Sequence, residues 1–373
     1  MPVSEIAVTI SENGDVELRG DNDAILRGQR HGVQGVDAEL IRVFERGLRD
    51  RGRDWQFADI RAFGSLLHRS LFPSDTWRWV EERIDALPRG DRIRFQLAFP
   101  ARGLGHLAAI PWEYLRVPDR DGREGFFLAT DRRLMLTRYL PMERGRPKSA
   151  PAERVTVLVL VSQPDDPTLG EVIAEPVLTS LEDIASNLPL DVAVRHQPTR
   201  DTLSEVVTEL HPDFIQFIGH GQYDDPGEEG RIALVDETGR ADWVGEAVLA
   251  QILGDEGDMP KLVFLHSCSG AQTDYRASFA GLAPRLIRRG TQCVVAMQYA
   301  VTNRMALAFS KGFYRGLAEG LPLDEAVQAG RRGLAVHYES DPRLMGIPVV
   351  YLNSRDARLL PPPGEPELSA PGG

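Results

Sequence analysis

Cysteine is nearly missing: the 373-residue chain has two, Cys268 and Cys293. Two thiols cannot build a disulfide framework, so the fold must stand on its core, and a reducing compartment is expected. Long apolar runs are missing too. No window reaches the roughly 18 apolar residues of a membrane span. The opening MPVSEIAVTI has no basic stretch followed by a long apolar core, so a soluble, cytoplasmic protein is expected. Positive charge is in deficit, with 43 Lys and Arg against 55 Asp and Glu and a net charge of −12. That balance disfavours direct partnership with nucleic acid or an anionic membrane. No second cysteine pair and no H-E-x-x-H accompany His266 and Cys268, so no metal is expected. Neither a G-x-S-x-G elbow nor a P-loop occurs, and Gly219–Gly221 is too short for a dinucleotide loop, so no cofactor is expected.

Apolar residues make up 42% of the chain, enough for a sizeable core. Residues 1–140 read as an α+β accessory domain. Ile6–Ile10 and Val16–Leu18 form a hairpin pattern across Asn13-Gly14. Helical spacing follows over Asp37–Leu48, Phe57–Leu71 and Thr76–Leu87, with strands at Ile93–Phe99, Phe126–Ala129 and Leu134–Tyr139. Pro141–Pro151, PMERGRPKSAP, is the expected linker. Residues 152–360 alternate strands and helices, which implies a mainly parallel sheet covered on both faces. The strands are Val155–Val161, Val192–His196, Phe214–Ile218, Leu262–Leu265, Cys293–Met297 and Ile347–Leu352. The helices are Leu169–Asn187, Thr202–Leu210, Val244–Leu253, Ala277–Arg289, Asn303–Ala318 and Leu323–Ala335. Residues 361–373 are Pro/Gly-rich and read as a disordered tail.

Two stretches carry the chemistry. Lys261–Gly270, KLVFLHSCSG, is an apolar strand pattern ending in small polar residues, with Cys268 in the turn. Asp213–Gly221, DFIQFIGHG, repeats that grammar and ends on His220 between two glycines. In open α/β sheets, ligand sites collect beyond the carboxyl ends of the strands. Parallel neighbours lie about 4.8 Å apart, which would bring His220 and Cys268 side by side. A thiol needs a base or a nearby positive charge to become a thiolate near neutrality. Cys293 lies inside an apolar run and reads as a buried strand residue.

FIGHG and FLHSCSGA are followed by Leu286–Ala296 (LIRRGTQCVVA), Phe313–Leu317 (FYRGL), Leu323–Ala326 and Gly330–Leu334. Together they resemble the CHAT peptidases, caspase-like cysteine peptidases found mostly in bacteria and grouped with caspases, separases and gingipains. The caspase histidine precedes its cysteine by roughly 50 residues; here the separation is 48. The resemblance runs from Val155 to Leu352. Ile110–Leu115 (IPWEYL), Phe127–Leu128 and Thr137–Leu140 look like the block that often precedes such a domain.

The resemblance implies an α/β, caspase-like three-layer domain with a six-stranded, mainly parallel sheet whose last strand is antiparallel. It implies Cys268 as nucleophile and His220 as acid/base in a dyad, with the oxyanion held by the backbone N–H groups of Gly221 and Cys268. Related enzymes specific for Arg or Lys often carry an aspartate two residues before the cysteine, where this chain has His266, a candidate for the substrate pocket. Asp224 and Asp225 lie in the acidic stretch Gln222–Gly230, read as a surface loop or as a rim or activation segment. The implied activity is protein cleavage by a regulated effector of bacterial defence or programmed death. Its helical-hairpin recognition repeats are missing, so an activating protein partner is expected besides a protein substrate. The competing readings are a catalytically silent caspase-like interaction module and a sensor modified at Cys268.

Overall fold

The apolar runs of the second half form the centre of one wide sheet. The computed structural model describes residues 3–361 apart from 12–14, 22–24, 31–32, 34, 50–54, 73, 99–106, 108–109, 121, 141–153, 187, 225–228, 256, 268–281, 300–302, 339–340 and 355–356. In chain order, β6 (Val155–Val161), β7 (Leu190–His196), β8 (Phe214–Gly219), β12 (Leu262–Ser267) and β13 (Cys293–Met297) are parallel. β14 (Pro348–Leu352) runs antiparallel to β13. The order β14-β13-β12-β8-β6-β7 is six strands with the last one reversed, as the resemblance implied.

Both faces of these strands are apolar because both are covered. Phe214, Leu262, Phe264 and Val295 point into one core. Their neighbours Ile215, Val263, Leu265 and Val294 point into the other. The first core is closed by α4 (Glu175–Ala185), α8 (Asn303–Ala318) and α9 (Leu323–Ala335). The second is closed by α5 (Arg200–Leu210), α6 (Glu246–Ile252) and α7 (Leu282–Arg289). α8 and α9 pack at backbone distance. A Cβ on Gly312 would stand 2.6 Å from the Ala329 carbonyl oxygen, so only glycine permits this approach.

The first part joins the same sheet. β1 (Val3–Ile10) pairs antiparallel with β2 (Asp15–Gly20), which pairs with β3 (Ile25–Arg30). β1 also lies parallel to β4 (Arg92–Ala98), β4 to β5 (Leu134–Tyr139), and β5 to β14. Eleven described strands therefore continue across the expected linker region, whose residues 141–151 lie outside the described set. α1 (Gly35–Arg49), α2 (Phe57–Leu71) and α3 (Ser74–Asp85) belong to this part.

The IPWEYL block is the joint. Glu113 and Arg138 form a buried ion pair through Nε–Oε1 at 2.9 Å and Nη2–Oε2 at 2.6 Å. Gln298, just past β13, donates to Glu113 Oε2 at 2.8 Å. Tyr114 donates its hydroxyl hydrogen to the Arg343 carbonyl at 2.6 Å. Burial pulls the Arg138 guanidinium down, but Glu113 outweighs it and holds the group above its ordinary value.

Several elements differ from the sequence reading. Phe126–Ala129 is not a strand: Phe127 makes a single bridge to Arg116 and the chain then turns. The helix read from Leu169 begins only at Glu175, with Pro176 in its first turn. An unforeseen three-stranded sheet, β9 (Gly221–Asp224), β10 (Glu229–Val235) and β11 (Ala241–Gly245), is inserted after β8.

His68 in α2 is 1% exposed and packed on Trp77 and Phe72, at 4.6 and 5.4 Å between ring centres. Burial, aided by the Arg120 charge, pushes it down to about 3. The unfolded chain therefore binds one more proton than the folded chain between pH 6.5 and 3. Stability falls on acidification across that window, by up to about 1.4 kcal/mol per pH unit from this residue. His68→Leu is expected to lose less of its urea midpoint than the wild type between pH 7 and pH 4.5. Parallel losses in the two proteins would contradict this assignment.

Candidate functional site

β8 and β12 are hydrogen-bonded neighbours with a register that decides what their ends present. Leu262 pairs with Phe214, and the ladder closes with His266 opposite Ile218 and Ser267 opposite Gly219. His220 is the next residue on one chain and Cys268 the next on the other. Cys268 and Asp225 lie outside the described residues; Asp224 closes β9.

At His220 the chain passes from the end of β8 in the wide sheet to the start of β9 at Gly221 in the inserted sheet. Gly219 is required there, since a Cβ would stand 2.6 Å from the Phe217 ring and 3.0 Å from the Ser162 carbonyl oxygen. The His220 carbonyl accepts from the Ala233 N–H at 2.9 Å, so the inserted β10 anchors this junction. The side chain is 1% exposed.

One ring nitrogen has a fixed partner. His220 Nε2 lies 2.8 Å from the Gly170 carbonyl oxygen. A carbonyl can only accept, so Nε2 carries the hydrogen and Nδ1 is the acceptor nitrogen of the neutral ring. Burial pushes the imidazole below its ordinary value, against the opposing pull of the Gly170 bond and the Asp166 charge. The ring is therefore neutral near pH 7 in the absence of a new anion beside it.

The Gly170 carbonyl is held in turn. Gln163 Nε2 donates to it at 3.3 Å, and Gln163 Oε1 accepts from the Val172 N–H. The Gln163 backbone N–H donates to Gln197 Oε1 at 2.7 Å, and Gln197 Nε2 donates back to the Gln163 carbonyl at 2.6 Å. Gln197 adopts a left-handed backbone, φ 52°, to make this two-way pairing. Sequence reasoning missed this support, because a backbone carbonyl as hydrogen-bond partner leaves no side-chain signature.

His266 is 1% exposed and stacks on Phe264 with ring centres 5.7 Å apart. Neither ring nitrogen has a hydrogen-bond partner among the described residues. Burial pushes it down to about 4, so it too is neutral at pH 7. Phe264 is itself braced by Phe309 and Phe313 of α8. Cys293 is fully buried in β13, and burial raises its thiol well above the ordinary range, leaving it inert.

The CHAT domain family matches residues 66–343, most of the chain and both sides of the expected linker. The protein belongs to the CHAT domain family. Among curated proteins no sequence matches it. Solved structures similar to it include the Arg-specific cysteine proteinase gingipain R, at 11% identity and a TM-score of 0.49, covering 86% of this chain and 76% of that one. Two structures of the Saccharomyces cerevisiae separase–securin complex are also similar. One has 16% identity and a TM-score of 0.42, with 77% of this chain and 17% of that one covered. The other has 12% identity and a TM-score of 0.44, with 94% and 30% covered. The chain thus spans less than a third of the separase chains it matches.

Proposed function

We propose that this protein is a cysteine endopeptidase acting through a Cys268–His220 dyad. The observation that carries the reading is the β8–β12 register, which ends one residue before each member of the pair. The fixed Nε2–H···O bond to Gly170 supports it, because it leaves Nδ1 as the nitrogen able to take a proton. In this mechanism the Cys268 thiol passes its proton to His220, and the thiolate attacks the scissile carbonyl. The backbone N–H groups of Gly221 and Cys268 stabilise the oxyanion. The imidazolium then returns the proton to the departing amine, leaving a thioester acyl-enzyme, and water attacks that thioester with His220 as base. The cost of charging a buried imidazole is offset by the thiolate formed beside it.

The regulatory part of the proposal rests on resemblance to the CHAT family. The protein acts as an effector in bacterial defence or programmed death, cuts a protein substrate in the cytoplasm, and is switched on by a partner protein. His266 contributes to the wall of the substrate pocket, and the stretch around Asp224 and Asp225 forms its acidic rim or an activation segment. Incubation with a peptidyl acyloxymethyl ketone tests the chemistry. The expected result is one adduct per chain, mapped to Cys268 by mass spectrometry and lost in Cys268→Ala. Adducts on Cys293 alone, or none with the activating partner present, would favour a silent interaction module.

A further inference from the structure

A cavity of about 1060 Å3 lies between α8, α9 and the start of β4. None of its lining residues comes from the ends of β8 or β12. Six cationic side chains line it: Arg92, Arg94, Lys311, Arg315, Arg332 and Arg358. Only two carboxylates, Glu319 and Glu325, share the lining. In a chain of net charge −12 this is a local reversal of sign.

Part of that positive charge is committed within the protein. Arg92 pairs with Glu325 at 2.6 Å, and Arg94 pairs with the buried Asp324. Arg358 donates to the Gly320 carbonyl, two residues past the end of α8. Lys311, Arg315 and Arg332 form no ion pair with a described residue. Arg332 is half-buried; burial first, then the charges of Arg92 and Arg132, depress its guanidinium against the opposing pull of Glu325 and Glu319. Cations crowded around a concavity are held apart by their own repulsion unless an anion sits among them.

We propose that this cavity binds a soluble ligand carrying two or more clustered phosphate groups. The excess of cations exceeds what one carboxylate would neutralise. Guanidinium forks match phosphate oxygens in geometry as well as charge. The volume is that of a small-molecule site rather than a flat docking face. Lys311 and Arg315 stand exposed on α8 one turn apart, where they can close on the ligand from the solvent side.

Calorimetric titration of the full chain with inorganic tripolyphosphate at fixed ionic strength tests this. Saturable one-to-one binding is expected, weakened about tenfold or more in Arg332→Ala and in the double variant Lys311→Ala/Arg315→Ala. The double variant changes only exposed side chains, so its fold is retained and its circular dichroism should match the wild type. Arg195→Ala, an exposed arginine of β7, should bind as the wild type does. Absence of saturable binding, or equal loss in Arg195→Ala, would overturn the proposal. So would a hexaglutamate peptide binding as tightly as tripolyphosphate. Capture by phosphatidylinositol-bisphosphate vesicles without binding of free tripolyphosphate would overturn the soluble assignment.

Discussion

His220→Ala is expected to slow acylation of Cys268 by about 100-fold to 10,000-fold, the range for loss of a positioned acid/base. The variant should still fold, because the His220 backbone bond to Ala233 does not depend on its side chain. The loss should appear in the rate at saturating substrate and not only in affinity, since the imidazole acts on the reacting atoms. Stopped-flow kinetics with an activated ester substrate would measure it. A fall of less than about tenfold would mean that another group activates the thiol.

Glu113→Ala is expected to be the most damaging substitution away from the site. Glu113 and Arg138 are 1% and 2% exposed at the side chain. Arg138 also reaches the Ile110 carbonyl at 3.0 Å, the Tyr351 hydroxyl at 3.2 Å and Gln298 Oε1 at 3.3 Å. Removing the carboxylate leaves a guanidinium buried without its counter-charge, at a cost of about 3–5 kcal/mol. A urea midpoint lowered at constant slope is the expected result. Replacing the pair by apolar residues, Glu113→Leu with Arg138→Met, should recover much of the loss, because the charge is then gone as well. A single-variant loss under about 1 kcal/mol would mean that water reaches the joint.

The central strands were readable because burial on both faces turns a strand into a continuous apolar run. Val155–Val161 and Cys293–Met297 agree with the structure to the residue, as do the helices Asn303–Ala318 and Leu323–Ala335. Leu262–Leu265 and Phe214–Ile218 were found for the same reason, and each ladder runs slightly further, to Ser267 and Gly219. β3, ILRGQR, was not readable: its arginines and glycine carry no clean alternation. β10 and β11 were missed because charged residues around the Thr238-Gly239 turn mask their apolar faces; Gly239 has φ 82° there. That β5 would lie beside β14 is a pairing across more than 200 residues, which tertiary contact decides and local pattern does not.

The strand ends that bear the candidate site were legible for the same reason. Histidine and cysteine just past two strand ends announce themselves. What steadies the histidine is a carbonyl on a loop 50 residues earlier, locked by the Gln163–Gln197 exchange. No residue type at Gly170 advertises that role. The alkylation rate of Cys268 across pH, in the wild type and in His220→Ala, tests the central claim most directly, with buried Cys293 as the internal unreactive thiol. A poised dyad predicts a rate that rises with a midpoint well below the roughly 8.5 of an ordinary cysteine, and a return toward that value in His220→Ala. An ordinary midpoint unmoved by the substitution, with the activating partner present, would contradict the dyad.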